Sequence, residues 1–266
     1  EDTLIIDFGP NNILFKNNIF KSSKKDDKAS NTSSPMSSAF NERLAYEMYG
    51  VSSESDLRDA LYGTRTDLTE PEYRCIIEHL KKFDNPAYLE IGVYFGGNFT
   101  KVLSFLEENN ENFKAVGVDL FESLLDAQNE NQTHDIVNKW NILNVAFKDD
   151  LERFLKGSGF TNFEFIQGNS DRVVASLDQK FDVFFIDGNH TFDQTLKDAN
   201  ACIEKSKKGS FLIFHNASDN MVPDPQYVKR DGGPWKVCEQ LKNSNDLRYV
   251  GLFDRCAVFE VLSDRD

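Results

Sequence analysis

Two histidines and their polar neighbours follow two successive apolar segments in the second half of the chain. Asp187 comes directly after FDVFFI with His190 three residues later, while His215 and Asn216 end the segment SFLIFHN. An imidazole with a reference pKa of about 6.5 can take a proton near neutral pH. The pattern therefore predicts that His190 is a general base for a hydroxyl group. The alternative is a histidine near a helix N-cap that only satisfies backbone groups.

The same residues could hold a divalent metal ion. Asp187 offers carboxylate oxygens, which Mg²⁺ prefers, and a bound Mg²⁺ would lower the pKa of an acceptor hydroxyl. His215 would add a nitrogen ligand and Asn216 an amide oxygen. Asp187 is the only sure carboxylate in this group, so the sequence leaves metal dependence open.

A glycine cluster lies earlier, in YLEIGVYFGGNFT, between an apolar segment and a predicted helix. Gly92, Gly96 and Gly97 would let the backbone approach a ligand that a Cβ atom would exclude. Their spacing differs from the Gly-x-Gly-x-x-Gly pattern of dinucleotide sites. The carboxylate of Glu90 suits a cationic ligand better than a pyrophosphate. Taken alone, this motif fits a structural turn equally well.

Further polar residues follow the next two apolar segments. Asp119 ends AVGVD, where a carboxylate can accept hydrogen bonds from both hydroxyls of a ribose. Asn169 and Ser170 follow the segment FEFIQG and could bond the edge of an adenine, or could cap a helix instead. Glu90 and Asp119 together predict a site for an adenosine that carries positive charge.

The elements that position these residues alternate between strands and helices after residue 85. Two further strands, linked by a short turn, are predicted to pair antiparallel at the sheet edge. The alternation indicates a parallel sheet that is covered by helices on both faces. In such a sheet a ligand binds beyond the carboxyl ends of the strands. The strands are predicted at residues 87–91, 114–118, 162–166, 181–186, 210–215, 247–253 and 256–262.

From Asn85 to Leu262 the ordered motifs resemble those of the class I S-adenosylmethionine-dependent methyltransferases. IDGNHTF, GSFLIFHNA and GGPWKVCEQL are most similar to the branch with macrocin-type sugar O-methyltransferases and cephalosporin-hydroxylase-like proteins. The resemblance implies a Rossmann-like, doubly wound sheet of seven strands in the order 3-2-1-4-5-7-6, with the last strand antiparallel. It also implies S-adenosylmethionine binding through the motif residues Glu90, Gly92, Gly96 and Asp119, with His190 as the base.

This resemblance implies a small-molecule substrate, most simply a sugar hydroxyl of a glycoside, nucleotide sugar or glycan precursor. Three other interpretations stay open: a phenol or amine acceptor, a methyltransferase-like binding module without catalysis, and a nicotinamide-dependent reductase. The glycine spacing disfavours the reductase.

The remaining segments are predicted as a hairpin at 1–20, a flexible linker at 21–38 and a helical cap at 39–84, ahead of a methyltransferase domain at 85–266. Thr69 and Glu72 form a capping box within the cap region. The polar loop 217–234 could close over a substrate. Candidate acceptor contacts in and beside this loop are Tyr227, Lys229, Arg230 and Trp235.

Composition excludes several classes of partner. The net charge of -14 and the pI near 4.8 disfavour nucleic acid. No apolar run approaches the roughly 20 residues that span a bilayer, so no membrane association is expected. Four separated cysteines without a CxxC pair predict reduced thiols in a cytoplasmic protein. A homo-oligomer stays open.

Overall fold

A computed structural model of the chain describes residues 62–64, 66, 68–121, 147–218 and 232–264. The predicted hairpin and linker, most of the predicted cap, and Tyr227, Lys229 and Arg230 lie outside these ranges. Within them, no helix has both the length and the apolar character needed to cross a membrane. All four cysteines are buried free thiols.

Seven strands form one sheet, and their bounds are β1 Ala87–Ile91, β2 Lys114–Asp119, β3 Glu164–Gln167, β4 Phe181–Ile186, β5 Ser206–Phe214, β6 Leu247–Phe253 and β7 Cys256–Val261. Their order is β3-β2-β1-β4-β5-β7-β6. The first five strands are parallel, whereas β7 runs antiparallel to both β5 and β6. This arrangement confirms the predicted topology.

Six helices cover the sheet in the described residues: α1 Glu70–Leu80, α2 Gly97–Asn109, α3 Lys148–Gly157, α4 Ser170–Ser176, α5 Phe192–Glu204 and α6 Gly233–Leu241. The first three pack with one face of the sheet and the last three with the other. Successive residues of a strand point to opposite faces. In β4, Val183 and Phe185 accordingly join the first core, and Phe184 and Ile186 join the second. The central strands must therefore be apolar on both sides.

Helix α1 is the described part of the predicted cap. It buries Cys75, Ile76 and Leu80 in the core that it shares with α2 and α3. The backbone N–H of Thr69 donates to Oε2 of Glu72 at 2.8 Å, as the predicted capping box requires. This helix therefore packs as a layer of the fold that carries the sheet.

Backbone hydrogen bonds continue just past the carboxyl ends of the central strands. The N–H of Asp187 donates to the carbonyl of Ile91 at 2.9 Å, and the N–H of His215 donates to that of Ile186 at 3.1 Å. On the other side, the N–H of Gly92 donates to Val118 at 2.9 Å. The segments that follow β1, β4 and β5 therefore lie side by side at the carboxyl ends of these strands.

Candidate functional site

The glycines after β1 permit close packing within the protein. Gly92 has a φ of +86°, and a Cβ atom there would lie 2.1 Å from the carbonyl oxygen of Asp187. Gly96 has a φ of +76°, and its Cβ would lie 2.7 Å from Leu151 Cδ1. Gly97 begins α2 and is buried. Gly92 thus lets the loop after β1 contact the backbone of Asp187, a predicted catalytic residue.

Glu90 is buried near the end of β1. Its Oε2 accepts hydrogen bonds from the Tyr88 hydroxyl at 2.6 Å and from Asn98 Nδ2 at 2.8 Å. Burial raises the pKa of Glu90 to about 8, although both hydrogen bonds oppose the rise. The side chain is therefore mostly neutral near pH 7, and a cation beside it would favour its ionised form. Tyr88 and Asn98 were not predicted as site residues.

Asp119 ties together the loops that follow β1 and β2. Its Oδ2 accepts from the backbone N–H of Tyr94 and its Oδ1 from that of Phe121, both at 2.9 Å. Burial raises the pKa of Asp119 while these backbone donors lower it. Tyr94 and Phe121 have φ angles of 56° and 47°, a region that non-glycine residues rarely occupy. The backbone N–H groups of Val93 and Leu120 also lower the pKa of Asp119.

Asn169 and Ser170 begin α4 and differ in their surroundings. Asn169 holds the N-cap position, but its exposed side chain makes no capping hydrogen bond. Ser170 Oγ donates to Oδ1 of Asp198 at 2.6 Å, and Gln194 Nε2 donates to the same oxygen at 2.9 Å. Ser170 therefore links α4 to α5, while Asn169 faces solvent beside the carboxyl end of β3.

Asp187 contacts both predicted histidines. Its Oδ1 lies 2.9 Å from His215 Nδ1 and 3.2 Å from His190 Nε2. Burial alone would raise the pKa of Asp187, but the two histidines hold it well below its usual range. Burial lowers the pKa of His215, and the carboxylates of Asp187 and Glu72 outweigh that effect and raise it to about 9. Asp187 is therefore ionised and His215 carries a positive charge at neutral pH.

Glu72 and Arg255 complete this arrangement, and neither was predicted as a site residue. Glu72 is fully buried on α1, and its Oε1 lies 3.3 Å from His215 Nε2. Arg255, in the turn between β6 and β7, donates from Nε to Oε1 of Glu72 at 2.6 Å and from Nη2 to Oε2 at 2.7 Å. Burial would raise the pKa of Glu72, but His215, Arg255 and Thr69 lower it to about 2. Glu72 and His215 are buried, while the side chains of Asp187 and Arg255 are 21% and 27% exposed at the border of this arrangement. We call these four residues the buried charge cluster.

The predicted metal ligands do not form an open donor set. His215 directs both ring nitrogens at carboxylates, and Asn216 Oδ1 accepts from Arg255 Nη1 at 3.3 Å. Among the described residues, no group of three or more His, Cys, Asp or Glu side chains could hold a metal ion. Asp187 and His215 are in contact, whereas Asn216 contacts Arg255, and the arrangement does not fit a metal site.

The loop that carries His190 is braced by the start of α6. The backbone N–H of Gly233 donates to the carbonyl oxygen of His190 at 3.1 Å. A Cβ atom at Gly233 would lie 2.5 Å from that oxygen, so only glycine fits there. Thr191 caps α5 by accepting from the backbone N–H of Gln194 at 3.4 Å. Trp235, predicted as an acceptor contact, lies in α6 and is 37 % exposed.

Comparison with known proteins finds a family model that matches part of the chain. Residues 89–217 match a family model described as "Methyltransferase domain". This segment, just under half of the chain, is therefore similar to a methyltransferase domain. Comparison with curated protein sequences gives no significant match. The residues that match the family model begin in β1 and end just after β5, so they contain the glycine loop, Asp119, Asp187, His190 and His215.

Solved structures support the fold assignment for this protein. The O-methyltransferase TomG from Streptomyces achromogenes, solved with S-adenosylmethionine, is 13% identical with a TM-score of 0.54, over 86% of this chain and 91% of that one. The methyltransferase PaMTH1 of Podospora anserina is 13% identical with a TM-score of 0.53, over 89% of this chain and 100% of that one. At such low identity these likenesses show the fold alone.

Proposed function

We propose that this protein is an S-adenosylmethionine-dependent O-methyltransferase that acts on a small polar acceptor, with a sugar hydroxyl as the acceptor group. The observation that carries the proposal is the contact between His190 and Asp187 at the carboxyl edge of the sheet. Asp187 also touches Gly92 through its backbone. A base at this position is adjacent to the loop that we assign to the cofactor.

The residues after β1 and β2 fit S-adenosylmethionine. The first turn of α2 has no side-chain cap, so its free N–H groups suit a carboxylate. Asp119 has acceptor capacity for ribose hydroxyls, and Glu90 can balance a positive charge by ionising. We assign Glu90, Gly92, Gly96, Gly97 and Asp119 to this cofactor, with Asn169 and Ser170 beside its adenine. When bound, S-adenosylmethionine supplies a methyl group activated by a sulfonium.

The contact between His190 and Asp187 supports one atom of His190 as the proposed base. Ionised Asp187 can only accept hydrogen bonds, so His190 Nε2 must carry the hydrogen that faces it. His190 Nδ1 then keeps a lone pair and takes the proton from the acceptor hydroxyl. Asp187 holds the ring in this tautomer and stabilises the imidazolium that forms. No step of this mechanism needs a metal ion.

The choice of acceptor rests on chemistry and on motif resemblance. A hydroxyl needs a base more than an amine does, because an amine attacks through its free lone pair. The IDGNHTF, GSFLIFHNA and GGPWKVCEQL motifs resemble the sugar O-methyltransferase branch. The acidic chain disfavours nucleic acid as the methyl acceptor.

Mass spectrometry of methyl transfer to a panel of sugars, phenols and amines tests the proposal. We expect labelled methyl groups on sugar hydroxyls, and a preference for phenols or amines would refute the acceptor class. A protein that binds S-adenosylmethionine but turns over no acceptor would instead be a binding module.

His190→Ala tests the base. We expect turnover to fall by at least about a hundredfold, the usual minimum for loss of a general base. Asn189→Ala is the matched control, because Asn189 lies in the same loop and its Oδ1 only accepts from the backbone N–H of Thr191. Equal losses in both variants would mean that loop disturbance, and not proton transfer, explains the effect.

A further inference from the structure

The buried charge cluster contains its own positive charges at the position predicted for a metal ion. Each ring nitrogen of His215 faces a carboxylate oxygen, at 2.9 Å for Asp187 and 3.3 Å for Glu72. Ionised carboxylates only accept hydrogen bonds. A ring lone pair directed at an ionised carboxylate at these distances would be repelled, so both nitrogens carry hydrogen and neither keeps a lone pair to bind a metal.

The contacts of His215 are ion pairs without straight hydrogen bonds. Both ring nitrogens are buried and lack an aligned hydrogen-bond partner, although the carboxylate oxygens lie close. The ring is 1% exposed, so water cannot supply the missing bonds freely. Charge therefore holds the ring between the two carboxylates, in addition to its packing against Phe185.

The charges of the cluster balance. Asp187 and Glu72 contribute two negative charges, and His215 and Arg255 contribute two positive charges. A divalent cation would meet no net negative charge, and it would have to displace protons from the imidazolium before binding. Asn216 offers no free alternative, because its side-chain oxygen accepts from Arg255.

We propose that His215 and Arg255 replace the divalent metal of this site, so that methyl transfer proceeds without a metal ion. Both act as positioning residues. His215 acts on His190 through Asp187, and Arg255 acts on His215 through Glu72. The statement about catalysis rests on the proposed function. The statement about metal binding does not, because it can be measured without an acceptor.

The first experiment uses the unaltered protein. After chelation and desalting, Mn²⁺ is titrated and free Mn²⁺ is followed by electron paramagnetic resonance. We expect no site tighter than about 1 mM, the weak end of protein sites for hard cations. Chelator should change turnover by less than about twofold. A stoichiometric Mn²⁺ site that disappears in Asp187→Asn, or loss of turnover with chelator, would overturn the proposal.

The second experiment asks whether removing the internal cation creates a metal site. His215→Ala leaves Asp187 and Glu72 with one net negative charge and an opened space, so Mn²⁺ should bind at least about tenfold more tightly. His190→Ala is the matched control, since it removes the other histidine on Asp187 and leaves the cluster neutral. His215→Gln provides the same test with less loss of volume, should the alanine variant fail to fold.

The outcomes separate the two proposals. Tighter Mn²⁺ binding in a folded His215 variant, but not in His190→Ala, supports the replacement of metal by His215. No gain in either folded His215 variant contradicts it. A protein that passes these tests but methylates nothing would refute the proposed function and leave the metal inference intact.

Discussion

Replacing Glu72 by glutamine removes one charge from the buried cluster while keeping the size of the side chain. His215 and Arg255 would then have to share the charge of Asp187 alone. The pKa of Glu72 falls from an ordinary value of 4.5 to about 2 in the folded protein. Each tenfold change in an acid constant is worth about 1.4 kcal/mol, so its ionised form contributes about 3 kcal/mol at pH 7.

The expected loss agrees with the cost of breaking a buried ion pair, which is typically about 3–5 kcal/mol. A loss of about 3 kcal/mol corresponds to a fall in melting temperature of roughly 6–12 °C for a domain of this size. Urea unfolding and thermal melting of Glu72→Gln at pH 7 measure the two quantities. Since a carboxylate with a lowered pKa stabilises the fold only when ionised, the difference from the parent should shrink as pH falls from 4.5 towards 2.

Glu78→Gln is the matched control for this prediction. Glu78 lies on the same helix and pairs with Lys81, but both side chains are more than half exposed. Such a surface pair contributes little. The control should have the same urea midpoint and the same melting temperature as the parent protein. If Glu72→Gln also has the midpoint and melting temperature of the parent, Glu72 is not an ionised member of a buried network, and the reasoning about the cluster is wrong.

Three further predictions concern charge at the site. Asp119→Ala should weaken S-adenosylmethionine binding by at least about tenfold, since hydrogen bonds to a charged group are worth about 1.5–3 kcal/mol, and equal affinity by calorimetry would remove Asp119 from the cofactor site. Binding of this cation near pH 7 should release up to about one proton from Glu90, whose pKa is about 8, and affinity should rise with pH until about 8. Titrations in two buffers of different ionisation enthalpy measure the release, which should vanish in Glu90→Gln. Because the pKa of His215 rises from 6.5 to about 9 on folding, its stabilisation is complete below pH 6.5 and is lost as pH rises through 9. Urea unfolding should therefore show a parent about 3 kcal/mol less stable at high pH than at pH 6.5, and His215→Gln should lack this loss.

Strand positions could be predicted well for strands that are buried on both faces of the sheet. FDVFFI is apolar throughout because both faces of β4 are covered, and the strand has the predicted bounds. β5 was predicted from residue 210 but begins at Ser206. Lys207 and Lys208 are exposed, so this part of the strand carries no apolar signal. Its pairing with Phe181 depends on an irregular register that a sequence pattern does not reveal.

The site was predicted in part for a similar reason. Asp187, His190 and His215 could be found because each follows a strand, and strand ends meet at one edge of a parallel sheet. Glu72 carried only the local signal of a capping box, and its pairing with Arg255 spans 183 residues. The spacing of residues in a sequence indicates which side chains are neighbours within one helix or one strand. It cannot report which distant charge a buried carboxylate will meet.

The distance along the chain between Glu72 and Arg255 also affects the order of folding. At roughly 5–20 residues per second, the ribosome needs about 10–40 s to add the 183 residues that follow Glu72 up to and including Arg255. During that time Glu72 has no guanidinium partner, and burying its carboxylate early would cost several kcal/mol. We therefore expect α1 to stay undocked until the β6–β7 turn has formed. On this view, Arg255 is the residue whose synthesis lets α1 pack onto the sheet.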